Sequence, residues 1–311
     1  MTDVCSIQRE QALVALGNAL RERRYEFVTV TPATHARVRS RRPLRAAATL
    51  RDVFGWSMPF ASTILDREVI ECLAAGGALY ETPEGLRSAV RASTLEGELF
   101  FHSAFPTTEP DAVFFGPDTY RFCSAIGRAH LAPARVLDIG CGSGAGGIIA
   151  GRRAARVVLA DVNAKALGFA RVNAILAGNP SAEIVESDVV AAVTGDFDLI
   201  VANPPYMRDD AGRRYRDGGG DFGEALSLRM LSEGLRRLAP GGTLLLYTGA
   251  PVVAGRDVFF AAARGLLERS RVPFRYEEID PDVFGEELEK PGYAAVERIA
   301  AVVLTAARSN E

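Results

Sequence analysis

The sequence predicts an α/β protein: a doubly wound, mostly parallel sheet of seven strands whose last strand is antiparallel, with a smaller N-terminal α+β domain. Three observations predict it. From about residue 110, short apolar runs alternate with helical stretches, the pattern of a parallel sheet with helices packed on its faces. The last two apolar runs, "PFRYEEID" and "ERIAAVVLTAA", are separated by a segment too short for a crossover helix, so a hairpin joins them. Residues before about 105 have a different texture, with helical patterns followed by hairpin signals. The division places an accessory or substrate-recognition domain at 1–108 and a larger domain at 109–311.

In the first region, "IQREQALVALGNALRER" carries apolar residues at helical spacing. "TLRDVFGWSMPF" leads into "ASTILDREVIECLAAGGAL", where Ser62 or Thr63 is placed to cap a helix and Gly76-Gly77 to end it. "LYETPEGLRSAVRASTLEGELFFHSA" reads as strand, turn, strand, with Pro83-Glu84-Gly85 and Glu96-Gly97 as turn signals. Helices followed by a small hairpin suggest a winged-helix-like module.

In the second region "ARVLDIG", "RVVLADV", "AEIVESD", "FDLIVANPP" and "GGTLLLYTG" are five buried strands, and "AKALGFARVNAILAG" and "EALSLRMLSEGLRRL" are helices between them. Ligands of such sheets bind at the carboxyl ends of the strands. The residues that follow each strand are therefore the informative ones.

Composition narrows the classes. The 311 residues contain 36 Lys and Arg against 39 Asp and Glu, a net charge of −3, so global charge does not mark a nucleic-acid binder. There is no apolar stretch of about 20 residues and no charged-then-apolar leader, so a soluble cytoplasmic protein with no membrane partner is expected. Cys5, Cys72, Cys123 and Cys141, like His35, His102 and His130, are scattered without paired spacing, and no metal site is expected.

"VLDIGCGSGAGG" follows the first strand of the sheet. Gly140, Gly142 and Gly144 let the chain turn tightly and bring backbone close to a ligand. Gly142-x-Gly144-x-x-Gly147 also fits a dinucleotide fingerprint, and Asp161 ends the next strand at the spacing that reads a ribose. Alone, this loop supports NAD as well as S-adenosylmethionine. Asp138 separates the two: a carboxylate just before the glycines suits an amino group and faces a pyrophosphate badly. The antiparallel last strand also departs from a dinucleotide fold, and the fourth strand ends in Asn203-Pro204-Pro205-Tyr206.

With these residues in place, the segment from about 110 to 311 resembles the class I S-adenosylmethionine-dependent methyltransferases. Asp138 to Gly144, Asp161, Asp188 and Asn203-Pro204-Pro205-Tyr206 fall in that family's order. The last motif is similar to that of the amino and amide N-methyltransferases, which include release-factor glutamine, adenine-N6 DNA and guanine-N2 ribosomal RNA enzymes. "VFFGPDTYRF" is similar to the segment that precedes the first strand in one glutamine-methyltransferase branch, where an Asp-Thr pair, here Asp118-Thr119, lies near the cofactor.

The resemblance implies S-adenosyl-L-methionine as cofactor and a planar amide or amine nitrogen of a protein or nucleic acid as acceptor. A small-molecule acceptor and a non-catalytic binding module are the alternatives. A planar nitrogen is a poor nucleophile because its lone pair is delocalised. The Asn203 side-chain oxygen and the Pro204 carbonyl can each accept one of its protons and aim the lone pair, while the Tyr206 ring gives a planar group a face to stack on. Asp161 is expected at the ribose, Asp188 at the adenine amino group and Thr119 over the cofactor. Cys141 reads as a space-filler. "RRYRDGGGDFGEALSLRM" reads as a mobile substrate loop in which Arg213, Arg214 and Arg216 meet an acidic or phosphate partner, and "RVRSRRPLR" (37–45) is the densest basic run.

Overall fold

The computed structural model describes residues 4–41, 47–209, 213 and 215–310. The chain forms two compact units. The first runs to Arg121 and takes in residues 142–145 and 165–182; the second holds the remainder. The first unit thus passes the 108/109 division and includes two segments from the later sequence.

The first unit contains helices α1 (Val4–Glu22), α2 (Pro32–Ser40) and α3 (Arg67–Ala75). The Thr31 side chain caps α2 by accepting from the Thr34 amide at 3.1 Å, and Pro32 follows at the first helical position. Helix α3 stops at Gly76-Gly77 as the glycines predict, with Gly77 at φ 65°. Its start differs from expectation. Ser62 and Thr63 lie in a single 3₁₀ turn, Leu65 is extended, and the helix begins behind Asp66.

Two hairpins follow where the sequence suggested one: β1 (Leu79–Thr82) with β2 (Gly85–Ser88), and β3 (Val90–Leu95) with β4 (Glu98–Ser103). Glu96 and Gly97 both have positive φ, 49° and 83°, the conformation of a two-residue hairpin turn. Leu16, Leu20, Phe54, Leu73 and Phe101 form this unit's core together with Phe169 and Leu176.

The second unit is built on one sheet. Its strands are β5 (Arg135–Ile139), β6 (Arg156–Asp161), β7 (Glu183–Glu186), β8 (Phe197–Ala202), β9 (Leu238–Val253), β10 (Arg256–Asp257), β11 (Phe274–Asp280) and β12 (Arg298–Ala307). The order is β11-β12-β9-β8-β5-β6-β7, with the two-residue β10 paired to β9. Strands β5 to β9 are mutually parallel, and β12 is antiparallel to both β9 and β11, as the short link between the last two apolar runs predicts.

Helices α4 (Pro117–Arg128), α5 (Ala145–Ala150), α6 (Ala164–Leu176), α7 (Ala225–Leu235) and α8 (Val258–Ser270) alternate with these strands in the chain. Leu137, Ile200, Leu246, Phe259 and Leu304 centre the core. After β5 the chain fills β6 and β7 on one side and then crosses to β8 on the other. The carboxyl ends of β5 and β8 are therefore the topological switch point, where such sheets bind ligands. Among the described residues no helix is long and apolar enough to cross a membrane.

Candidate active site

Strand register sets the site. Ile139 at the end of β5 is the Cα partner of Ala160 in β6 and of Ala202 in β8. The residues that come next, Gly140, Asp161 and Asn203, therefore leave three neighbouring strands at one level. No local sequence signal states this; it follows from the pairing.

Asp138, the penultimate residue of β5, is 1 % exposed. Its Oδ2 accepts from the Gly147 amide at 2.7 Å. Burial raises its carboxyl to about 7, against the lowering effect of that hydrogen bond, and the Asp161 charge adds to the rise. No cationic side chain is paired with it among the described residues. A buried carboxylate held in this state favours a positively charged partner. The loop beyond it turns sharply. Gly140 has φ 67°, and the Gly140 and Cys141 amides both donate to the Ala160 carbonyl, at 2.8 and 3.0 Å. Gly142 and Gly144, which belong to the first unit, also have positive φ, 54° and 82°. A Cβ on Gly147 would sit 2.3 Å from Leu159, so the turn into α5 passes directly against β6.

Asp161 ends β6, and its Oδ1 accepts from the Asn163 amide at 2.9 Å. Cys141 is buried. Burial, and then the charges of Asp161 and Asp138, push its thiol well above the ordinary range, as befits a space-filler. Asp188 follows β7, and its two oxygens accept from Arg229 of α7, both at 2.8 Å. That bond is the main cause of its lowered pKa. Thr119 lies in the first unit, where its hydroxyl accepts from the Gly116 amide at 3.3 Å and closes the first turn of α4.

Asn203 is half-buried at the end of β8, and Pro204 is buried. The Tyr206 ring is 6 % exposed. It lies against the backbone of β9: a Cβ on Gly249 would come within 2.2 Å of the ring. Tyr247 and Phe284 flank it with centroids at 6.5 and 6.3 Å. Phe284 itself is in the left-handed region at φ 57°, an unusual position for a bulky side chain. Sequence reasoning missed Gly249 and Phe284. They are remote from the motif in sequence, and an isolated Gly in a strand pattern, a sign of close backbone approach, was the one available signal.

The segment after the motif folds back on it. The Gly218 amide donates to the Met207 carbonyl at 2.8 Å, and the Leu226 amide to the Gly218 carbonyl at 2.8 Å. A Cβ on Gly218 would lie 1.9 Å from the Gly223 carbonyl oxygen, and one on Gly223 would lie 2.3 Å from the Tyr206 carbonyl oxygen. Gly218 and Gly223, within the stretch read as a mobile loop, are therefore close-packing residues here. Arg213 and Arg216 are also committed within the chain. Arg213 is ion-paired with Asp209, and Arg216 with Asp209 and Glu287, while Lys290 adds a 2.6 Å pair to Glu287.

Arg214 lies outside the described residues, as do Arg42 and Arg45 of the basic run. Of that run, Arg39 donates to the Ser57 carbonyl at 3.0 Å and so serves the first unit's own fold. Among the described residues no group of three or more His, Cys, Asp or Glu is placed to hold a metal.

Residues 122–252, which include β5 to β8, most of β9 and the Asn203–Tyr206 motif, match the methyltransferase small domain family. The chain is 38% identical over 116 residues to ribosomal RNA small subunit methyltransferase C of Chromohalobacter salexigens, covering 37% of this chain and 32% of that protein. It is 37% identical over 124 residues to the release factor glutamine methyltransferase of Deinococcus radiodurans, covering 36% and 44%. The chain thus spans a third to under a half of the length of these curated relatives. They belong to the group that the Asn-Pro-Pro-Tyr motif indicates. Among solved structures, Trm5b of Pyrococcus abyssi aligns with a TM-score of 0.51 at 14% identity over 74% of this chain and 62% of that one, a likeness of fold.

Proposed function

We propose that this chain is an S-adenosylmethionine-dependent N-methyltransferase acting on a planar amide or amine nitrogen of a macromolecule, a protein glutamine or a nucleobase. The observation that carries the reading is the convergence of Asp138-Gly140, Asp161 and Asn203 at the ends of three neighbouring strands, two of which flank the switch point. The match of residues 122–252 to the methyltransferase small domain supports it.

The residues fit the cofactor. Buried Asp138 accepts a cationic amino group, and its ionised form is restored by that neighbour. Gly140 brings backbone close, and Asp161 offers carboxylate oxygen to ribose hydroxyls. Asp188, exposed after β7 beside Arg229, offers its carboxylate to the adenine amino group. The cofactor supplies an electrophilic methyl group, so the protein has only to place and polarise the acceptor.

Asn203 and the Pro204 carbonyl take the two protons of the target nitrogen and hold its lone pair in line. Both stabilise the positive charge that develops there as the methyl group is transferred, and neither acts as a strong base. The two prolines fix the backbone that carries these acceptors. Gly249 leaves room for Tyr206 beside β9, and the ring walls the site with Phe284 and Tyr247.

Calorimetry tests the cofactor: S-adenosylhomocysteine should bind, with no comparable binding of NAD. Incubation with methyl-labelled cofactor, followed by mass spectrometry of protein and RNA fractions, tests the acceptor class. Label on a glutamine amide or an exocyclic base nitrogen is expected. NAD binding in its place, or label on carbon or oxygen alone, overturns the proposal.

A further inference from the structure

The first unit contains a buried cation with no counter-ion among the described residues. Arg91, on β3, is 4 % exposed. Its Nε donates to the Gly55 carbonyl at 3.0 Å, and its guanidinium carbon lies 5.8 Å from the Phe27 ring centroid. Its Nη2 has no hydrogen-bond partner among the described residues. Neither contact brings negative charge. The ionisable oxygens that act on Arg91 are the Tyr25 and Tyr120 hydroxyls, and burial raises both above the ordinary phenol range, so both stay protonated and neutral. Burial pulls Arg91 down only to about 10, which leaves it charged at neutral pH. A desolvated charge in this state is costly unless something of opposite sign joins it.

A small cavity lies beside it. Arg91, His102, Phe105, Thr107, Phe114 and Phe115 are among the residues that line it, and it has room for about one water-sized group. His102 adds no charge. Its Nε2 is hydrogen-bonded to Ser93 Oγ at 2.8 Å, its ring stacks on Phe115 at 5.0 Å, and burial holds the imidazole neutral. No acidic residue lines the cavity among the described residues. Arg91 is thus the one permanently charged group on a largely aromatic wall. A water molecule would satisfy Nη2 but leave the charge unopposed. A compact, weakly hydrated anion satisfies both.

We propose that this cavity is a binding site for a small monovalent anion of halide size, which neutralises Arg91 and completes the core of the first unit. Tetrahedral dianions exceed the room available.

The test uses bromide and the full chain. Thermal unfolding is followed in sodium bromide and in sodium gluconate at matched ionic strength. General salt effects favour the more strongly hydrated gluconate, so they oppose the predicted result. A saturable rise of about 2–4 °C in bromide is expected for the wild type, and none for Arg91→Gln. Crystals of the wild-type chain grown in bromide should show an anomalous peak in contact with Nη2. That reading stands even if Arg91→Gln fails to fold. Equal melting in the two salts with no peak at Arg91 would overturn the proposal, as would a bromide effect that persists unchanged in a folded Arg91→Gln.

Discussion

Asp138 lies beneath the candidate cofactor site, and its burial makes a prediction with a definite sign. Its folded carboxyl is raised to about 7, above the unfolded value of 3.8. The stability it contributes is therefore fully present below the unfolded value and is lost as pH rises through about 7. Cofactor binding runs the other way, because a cationic amino group needs the ionised form. Affinity for S-adenosylhomocysteine should strengthen as pH rises toward 7.5, by up to about tenfold per unit below the titration. Asp138→Asn should bind weakly with a flat profile across this range; a flat wild-type profile measured by calorimetry would contradict the assignment. Gly249 makes a second prediction at this scale. An added methyl would meet the Tyr206 ring. Gly249→Ala should cost about 1–3 kcal/mol of stability through overpacking. Displacing the motif should also reduce turnover by about 100-fold while cofactor affinity holds. Unchanged turnover would show that the seat of Tyr206 does not matter to the chemistry.

The segment that follows the motif carries its own prediction as an element. The described residues of 207–224 are tied to the β11–β12 connection by Arg216 and Glu287, and to one another by Arg213 and Asp209. The Arg213 hydrogen bond holds Asp209 down at about 2, below the unfolded value of 3.8. Its contribution is present above the unfolded value and disappears as pH falls through about 2. Protection factors of the described amides in this segment, taken against the intrinsic exchange rate at each pH, should fall between about pH 4 and 2, ahead of those in the sheet strands. Glu287→Gln should loosen the same segment at neutral pH and leave β5 and β8 protected. A uniform loss of protection across the sheet would mean that the ion pairs hold the whole unit and not this element. None of these ties was legible in the sequence, because Arg216 and Glu287 are far apart in the chain and a Gly-Gly-Gly run reads locally as flexible. The same limit hid the Asp188–Arg229 pair. It also left open that the turn at Pro83-Glu84-Gly85 and the turn at Glu96-Gly97 close two separate hairpins.

At the scale of the molecule, most of the second unit could be read in advance. Buried parallel strands are near-continuous apolar runs, and each candidate residue lies at the end of one or directly after it, so the places of Asp138, Asp161 and Asn203 could be read from local pattern alone. The short link through "GEELEKPGY" was enough to set β12 antiparallel. What pattern could not supply is register, and register is what levels Gly140, Asp161 and Asn203 on neighbouring strands. The first unit was less legible, because its core joins α1 and the hairpins to Phe169 and Leu176 from far along the chain. In the proposed reaction the sheet delivers Asn203 to a reacting nitrogen. Single-turnover methyl transfer by Asn203→Ala, with S-adenosylhomocysteine affinity measured on the same protein, tests it most directly. The prediction is a fall in transfer of about 100-fold or more with cofactor affinity nearly unchanged, the pattern of a polar group that acts only on charge developing in the transition state. Wild-type transfer by Asn203→Ala would reduce Asn203-Pro204-Pro205-Tyr206 to a strand-ending turn and contradict the claim.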